Sequence, residues 1–332
     1  MGNQSTVPAK PSVGRDAMCL TVASATHPRL GVGSPLSLLD QHTLRTICEH
    51  VVSTPQIIAV CIVNDSVSIV DAENGRTMGT LRRDDFAPHA AVAAGGRVYV
   101  VGETETQSWF ESVTSSVSIC TTCVVYDIGT DTWSDVHIPW SVVTPRGVVA
   151  VGTRVIITWA LDGYGTWYSL ILETTTGVWT RFVQECNELT YDCATALGRT
   201  VCTPAMVTRG SGPRVGVLDP ATKMWVLLDH TPRVALDVDI ATAIGDRIWC
   251  IKSTNVIGIG PYSPTKHLFI YDTATGEWSE DTRRYFCRPS AMTSIGDALY
   301  VNADGTLLTY DTVRGIVTKC VSHIKAFALV IV

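Results

Sequence analysis

A short phrase that recurs along the chain limits the available folds more than any other feature. It begins with an apolar or aromatic residue and an acid, continues with turn-forming residues, and ends with tryptophan seven positions after its first residue. Two clear copies run from Tyr126 to Trp133 and from Tyr271 to Trp278. A phrase that repeats at intervals of about 50 residues indicates a repeat architecture, in which neighbouring units bury one another's apolar faces.

The acids of six copies define the period of the repeat. They lie at positions 71, 127, 173, 219, 272 and 311, which gives spacings of 56, 46, 46, 53 and 39 residues. The first and last copies lack the tryptophan, whereas four of the nine tryptophans in the chain occupy this one position. The residues that we assign to the structural repeat are Tyr126, Asp127, Trp133, Trp179, Asp219, Trp225, Tyr271, Asp272 and Trp278.

A second phrase precedes most copies and predicts the strands of each unit. A small-apolar segment such as Ala90–Ala94 is followed by glycine and then by a β-branched segment such as Val98–Val101. Short segments of this composition between glycine turns are typical of strands, and glycine accepts the positive φ of a tight turn. Each unit then has four antiparallel strands, as in a propeller blade, and we expect its tryptophan to lie between neighbouring blades.

These motifs resemble the kelch-repeat family, including the central domain of the galactose oxidase type, over residues 57–332. The resemblance implies an all-β fold, a kelch-like β-propeller, and the six copies of the repeat predict a six-bladed ring. Most copies have one glycine where the family has two, and only Gly95-Gly96 keeps the doublet. The chain contains no Trp-Asp dipeptide, which disfavours a WD-repeat propeller.

The two ends of this repeat region suggest how the ring closes. The first unit begins at Ile57–Val63, which matches a second strand with no first strand before it. Residues 323–332 look like a first strand without a unit of its own. We therefore expect the C-terminal strand to complete the first blade and to close the propeller, which removes two open sheet edges.

Composition excludes several classes of protein. The chain of 332 residues is 46% apolar and only 17% charged, which is incompatible with a mainly disordered chain, and its net charge of −6 argues against a nucleic-acid-binding surface. No apolar run reaches the ~18 residues of a membrane helix, and the N-terminus lacks an apolar signal core. We expect a cytoplasmic protein whose 11 cysteines are mostly small buried residues. The Cys120 and Cys123 pair has no partners for a zinc site.

Residues 1–33 are rich in small and polar residues, and we expect them to form a flexible tail. The start of the chain matches the myristoylation pattern, with Gly2 as the acceptor and Thr6 in the hydroxyl position. One acyl chain would give weak membrane association. The alternative is an unmodified polar N-terminus.

Residues 34–56 form a separate segment, and an amphipathic helix is predicted over 34–52. Ser37 and Asp40 form a capping box, and Leu44, Ile47 and Val51 share one helical face. The segment also resembles the opening of an F-box, a helical adaptor that recruits ubiquitin ligase, although it has about half the usual length. Two interpretations remain: a helix that plugs one end of the propeller, or an F-box-like fragment that makes the protein a substrate adaptor.

The sequence offers no support for catalysis. The eight histidines form no HxH or HExxH motif, and the chain has no Walker loop, nucleophile elbow or dinucleotide fingerprint. We expect no catalytic residue, no metal and no cofactor. Two alternatives to a binding module stay open, namely a metal-dependent enzyme of the kelch type and a structural component such as part of a virus particle.

Binding through the loops on one face of the propeller is the function that the sequence favours. The connections between second and third strands, and between blades, emerge on the same face; we take Glu103–Thr122 and Arg283–Pro289 as two of these loops. Arginine and aromatic residues are enriched at protein interfaces, and arginine pairs with carboxylates in bidentate geometry. We expect a protein or peptide partner with an acidic segment. The candidate contact residues are Arg82, Arg83, His89, Trp109, Arg146, Tyr164, Tyr262, Arg284, Tyr285 and Arg288.

Overall fold

A computed structural model shows 24 strands arranged in six four-stranded antiparallel sheets. The structure describes residues 56–63, 66–107, 117–140, 145, 147–161, 166–185, 193–208, 212–228, 238–252, 265–287, 289–322 and 326–332. No helix is present within these ranges. The predicted tail of residues 1–33 and the predicted helix lie outside them.

In chain order the strands are β1 (Ile57–Val63), β2 (Ser66–Asp71), β3 (Thr77–Arg82), β4 (Phe86–Ala94), β5 (Arg97–Gln107), β6 (Val117–Asp127), β7 (Thr132–Val136), β8 (Gly147–Val151), β9 (Arg154–Leu161), β10 (Thr166–Glu173), β11 (Val178–Glu185), β12 (Thr195–Leu197), β13 (Thr200–Thr208), β14 (Gly212–Asp219), β15 (Met224–Leu228), β16 (Val238–Ile244), β17 (Arg247–Lys252), β18 (Thr265–Asp272), β19 (Glu277–Cys287), β20 (Pro289–Ile295), β21 (Ala298–Ala303), β22 (Thr306–Asp311), β23 (Ile316–Ser322) and β24 (Ala326–Ile331).

The six sheets are the blades of an all-β propeller. Blade 1 has the strand order β24-β1-β2-β3, and blades 2 to 6 each contain four consecutive strands from β4 to β23. The inner strands contact one another in the order β24, β4, β8, β12, β16 and β20, and β20 contacts β24 again. In blade 1, Ile57 pairs with Ile331 and Ile58 with Val330, so β24 lies directly beside β1.

The apolar core is divided among the interfaces between neighbouring blades. Tyr126 of blade 2 packs against Gly79 of blade 1, where an added Cβ atom would lie 2.5 Å from the tyrosine ring. The ring of Trp133 lies beside that of Tyr126, with 5.1 Å between the centroids. Trp225 of blade 4 is buried and donates a hydrogen bond to Ser169 of blade 3 at 3.3 Å. The aromatic residues of the repeat thus lie where one blade meets the preceding one.

Each blade has two different ends, which we name by their connections. The turn face carries the first-to-second and third-to-fourth strand turns, and the loop face carries the second-to-third connections and those between blades. On the turn face the repeated acids close the third-to-fourth turns. Asp272 accepts hydrogen bonds from the backbone N–H groups of Ala274 and Thr275, at 3.0 and 3.2 Å.

An arginine at the start of the second strand holds the repeated acid in three blades. Its Nε atom lies about 3 Å from the carboxylate and lowers the pKa of Asp127 and Asp272. This arginine was not predicted as a partner of the acid, although an arginine follows the glycine turn of four units, at positions 97, 154, 199 and 247. The pairs are Arg97–Asp127 at 2.9 Å, Arg154–Glu173 at 3.1 Å and Arg247–Asp272 at 3.1 Å.

Threonine after the acid joins the two turns of a blade. Its hydroxyl donates to a carbonyl of the first-to-second turn, and its backbone N–H donates to the same carbonyl. In blade 4 the corresponding residue is Pro220, which has neither donor. The hydroxyl bonds are Thr174 to Thr153 at 2.7 Å, Thr273 to Asp246 at 2.8 Å and Thr312 to Asp297 at 2.7 Å.

Candidate partner-binding face

The loop face differs from the turn face first in the length of its connections. The turns of the turn face contain two to five residues between strands. On the loop face, nine or more residues separate the strands in five of the connections, residues 108–116, 137–146, 186–194, 229–237 and 253–264. Longer connections of variable length are where propellers and similar scaffolds carry binding residues.

Arg83 is placed on the loop face between blades 1 and 2, but its charge is already engaged. Its Nη1 atom lies 2.7 Å from the carboxylate of Asp135 and its Nε atom 3.0 Å from that of Asp85. The side chain retains 29% of its exposure. Arg83 therefore links two blades, and its Nε and Nη1 atoms are directed at protein carboxylates.

Arg82 and His89 have different surroundings at the same face. Arg82 ends β3, is exposed, and forms no ion pair with another described residue. His89 lies in β4 at a register shift between Pro88 and Ala90, and its Nε2 atom is 3.3 Å from the Glu103 carboxylate. Among the described candidates, Arg82 is the one arginine free to meet a partner.

A cavity of about 540 Å³ adjoins the Arg83–Asp135 pair. Its lining includes His137 and Trp140, and the hydroxyl of Thr104 lies 3.0 Å from that of Thr122 at the same site. A cavity that combines an aromatic ring, a histidine and hydroxyl groups suits contacts with a polypeptide. Neither His137 nor Trp140 was among the predicted contact residues, and their position after β7 was the available signal.

Two predicted loops are instead largely strands. The segment Glu103–Thr122 contains the ends of β5 and β6, which pair as far as Gln107 and Val117, because alternating threonines and β-branched residues extend the hairpin. Arg284 and Tyr285, predicted in an inter-blade loop, lie in β19, where Tyr285 pairs with His267. His89 and Arg82 also belong to strands.

Several predicted contact residues fall outside the described part of the chain. For Arg284 and Tyr285 only the backbone is described. The predicted lipidation site, Gly2, lies outside it as well. The remaining predictions of this kind are Trp109, Arg146, Tyr164, Tyr262 and Arg288.

The described residues show no cluster of three or more His, Cys, Asp or Glu side chains that could hold a metal ion. Five described cysteines are buried free thiols. Burial raises the pKa of Cys202 to about 11 and that of Cys123 to about 12, so both thiols stay protonated near neutral pH. Within the same part of the chain, no helix is both long enough and apolar enough to cross a membrane.

Comparisons with known proteins agree with the propeller architecture. No protein-family model matches this sequence, and no curated protein matches it. Among solved structures, a crystal structure of TolB from Acinetobacter baumannii is similar, with a TM-score of 0.50 and 13% sequence identity. The match covers 83% of this chain and 66% of that chain, so this chain spans just under two thirds of the neighbour's length. At this identity the likeness shows the β-propeller fold alone.

Proposed function

We propose that the protein is a non-enzymatic interaction module that binds a protein partner through its loop face. The observation that carries the proposal is the difference between the two faces. The turn face uses its acids, arginines and threonines in bonds within each blade. The loop face combines long connections with the exposed Arg82 and the 540 Å³ cavity beside Trp140.

The arginines of the loop face favour an acidic segment of the partner. Because Arg83 is held by Asp85 and Asp135, this preference depends on Arg82 together with the arginines at 146, 284 and 288. A carboxylate that meets an uncommitted guanidinium gains two parallel hydrogen bonds.

The test compares two sets of arginines. Partners captured by the wild-type protein are quantified by mass spectrometry beside a variant in which Arg82, Arg146, Arg284 and Arg288 are replaced by glutamine. A control variant replaces three arginines of the turn face, Arg76, Arg199 and Arg314, by glutamine in the same way. We expect the loop-face variant alone to lose the partner. Equal retention by all three proteins would refute binding by these arginines, and loss in the control would point to the turn face.

The proposal excludes catalysis, and metal analysis tests that part of it. Copper or iron bound stoichiometrically to the purified protein would favour a metal-dependent enzyme instead.

The kelch-like relationship is supported by the combination of six four-stranded blades with the repeated Tyr-Asp and Trp positions. We further propose that β24 stabilises the whole ring by completing blade 1.

The N-terminal segment adds two proposals that can be tested separately. We propose that the protein is cytoplasmic and is acylated at Gly2. The test compares the intact masses of the wild-type protein and the Gly2→Ala variant, both made in eukaryotic cells; the mass of the acyl chain should be present in the wild type alone. For an adaptor that recruits ubiquitin ligase, replacing Leu38 and Leu39 by serine should abolish ligase-adaptor binding while the propeller still unfolds at its normal temperature. Unchanged binding would exclude the adaptor role.

A further inference from the structure

A second cavity, of about 470 Å³, lies at the centre of the propeller and is lined by all six inner strands. We name it the central channel. Many of its lining residues are alanines, and none of the described lining residues is Asp, Glu, Lys or Arg. His89 and Cys193 are the ionisable side chains among them. The volume falls within the range of small-molecule sites, and the lining is polar without being charged.

The strand edges make the channel wall polar. Each inner strand is the end strand of its sheet, so it has a hydrogen-bonded neighbour on one side only. The sheet leaves the N–H and C=O groups of the other edge unpaired. Two of these strands' carbonyls, those of Ala243 and Ala326, accept hydrogen bonds from Ser294 and Ser290 of blade 6 at 2.7 Å, and edge groups without such a neighbour take their partners from the channel. Such a wall offers donors and acceptors in alternation, without a net charge.

One layer of the channel is divided into a hydroxyl side and an apolar side. Blades 4, 5 and 6 contribute Thr195, Thr242 and Thr293, each three residues before the glycine of its first-to-second turn. At the same position blades 2 and 3 contribute Val92 and Val149. All five residues line the channel. Three consecutive blades thus carry threonine where blades 2 and 3 carry valine, and these two valines also pack in the apolar clusters between blades.

Two of these hydroxyls have no hydrogen-bond partner among the described residues. The Thr242 hydroxyl lies 3.4 Å from that of Ser294. Thr195 and Thr293 are only 6% and 8% exposed, yet neither hydroxyl bonds to another described residue. Buried hydroxyls are nearly always hydrogen-bonded. Because both threonines line the channel, their hydroxyls are available to water or to a ligand inside it.

The strands bend where the channel opens onto the loop face. β4, β16 and β20 each contain a register shift at the same distance from their glycine turn, which leaves His89, Asp239 and Ser290 as extra residues. Bulges of this kind bend a strand and redirect its side chains, and they are frequent beside functional sites. His89 and Ser290 line the channel at this end.

We propose that the central channel binds a small uncharged polyhydroxylated molecule of monosaccharide size, which enters from the loop face. Its hydroxyl groups pair with the strand edges and with Thr195 and Thr293, and its C–H groups face Val92 and Val149. A charged molecule would lose its hydration without gaining an opposite charge, and a hydrocarbon would leave the wall unsatisfied. Of the described partner-contact candidates, His89 also lines the channel, whereas Arg82 does not.

Saturation-transfer NMR with the full-length protein tests the proposal, with myo-inositol and D-glucose as neutral probes. We expect a saturable signal for at least one of them, and at least tenfold weaker binding of the size-matched anion inositol 1-phosphate. The double variant Thr195→Val/Thr293→Val should weaken the neutral probe about tenfold or more, because two hydrogen bonds are lost. Its thermal midpoint should not fall, because these hydroxyls stabilise no protein group.

Two further variants distinguish binding in the channel from binding elsewhere on the surface. Ala196→Leu narrows the channel one residue from the threonine layer and should abolish the signal. Thr318→Val removes an exposed hydroxyl of β23 and should leave binding unchanged. The proposal is overturned if neither neutral probe binds, if the anion binds equally well, or if binding survives both channel variants.

Discussion

The two faces of the propeller are built from the same strands but obey different constraints. On the turn face, short turns repeat one set of bonds: an acid caps the turn, an arginine holds the acid, and a threonine ties the two turns of the blade together. On the loop face the connections range from one to twelve residues, and the described contacts differ from blade to blade. Arg83, for example, bridges blades 1 and 2 through Asp135, a pairing without an equivalent among the other described blades.

This difference shows which part of a repeat is structural. The recurring acids, arginines and threonines of the turn face bond within their own blade, so their polar groups are already engaged. Residues that do not recur lie where the chain can change length without disturbing the sheets. A repeat motif therefore identifies the fold, and the segments that interrupt it are where the proposed partner-binding residues lie.

The largest effect should come from removing the strand that completes blade 1. Deleting residues 323–332 removes β24, exposes β1 and opens the ring, so we expect cooperative thermal unfolding to be lost. Differential scanning calorimetry of the truncated and the full-length chain measures whether the unfolding transition stays cooperative. If the truncated chain cannot be purified, Leu329→Ala, at a buried position of β24, should cost about 2–4 kcal/mol in urea unfolding. An unchanged transition in either protein would contradict the closing role of β24.

Insertions should separate the two faces directly. Gly-Ser-Gly-Ser placed between Gly245 and Asp246 opens a two-residue turn and disrupts the bonds from Thr273 to the Asp246 carbonyl. We expect the free energy of unfolding to fall by about 2 kcal/mol or more. The same insertion between residues 258 and 259 of the loop face should cost less than about 0.5 kcal/mol, because loop entropy grows slowly with length. Similar costs at both places would remove the distinction.

The bond between the two turns of a blade can be tested by one substitution. Thr273→Val keeps the shape of the side chain and removes the hydroxyl that donates to Asp246. We expect urea unfolding to show a loss of about 1 kcal/mol. The control is Thr318→Val on the exposed side of β23. A loss no greater than that of the control would show that the hydroxyl bond contributes nothing to the turn face.

Acid should weaken the turn face through its carboxylates. Hydrogen bonds from Arg97 and Arg247 lower the pKa of Asp127 and Asp272 in the folded protein. Their stabilisation is present above the ordinary aspartate value of 3.8 and is lost as pH falls through the lower folded value. The Tm of Asp127→Asn/Asp272→Asn should therefore change less than that of wild type between about pH 5 and pH 2. The control Thr318→Val, which removes no carboxylate, should keep the wild-type dependence of Tm on pH.

Sequence was sufficient for the architecture because the aromatic residues of the repeat are set by packing between blades. Tyr126 must reach Gly79 of the preceding blade, and such a requirement leaves a regular spacing in the chain. The contact residues were harder to predict. His89 was taken as a loop residue because a register shift depends on the partner strand, here β5, which the sequence of β4 does not reveal. The end of β19 was missed because Tyr285 is held in the sheet by pairing with distant His267.

The pairing of β24 with β1 also sets an order of events during synthesis. Ile57 meets Ile331 in the same sheet, so blade 1 remains a three-stranded fragment until residue 331 has left the ribosome. Blades 2 to 6 are each built from consecutive strands and face no such delay. The contacts of highest sequence separation are therefore made after those within blades 2 to 6, and β1 lacks its β24 neighbour until that strand has been made.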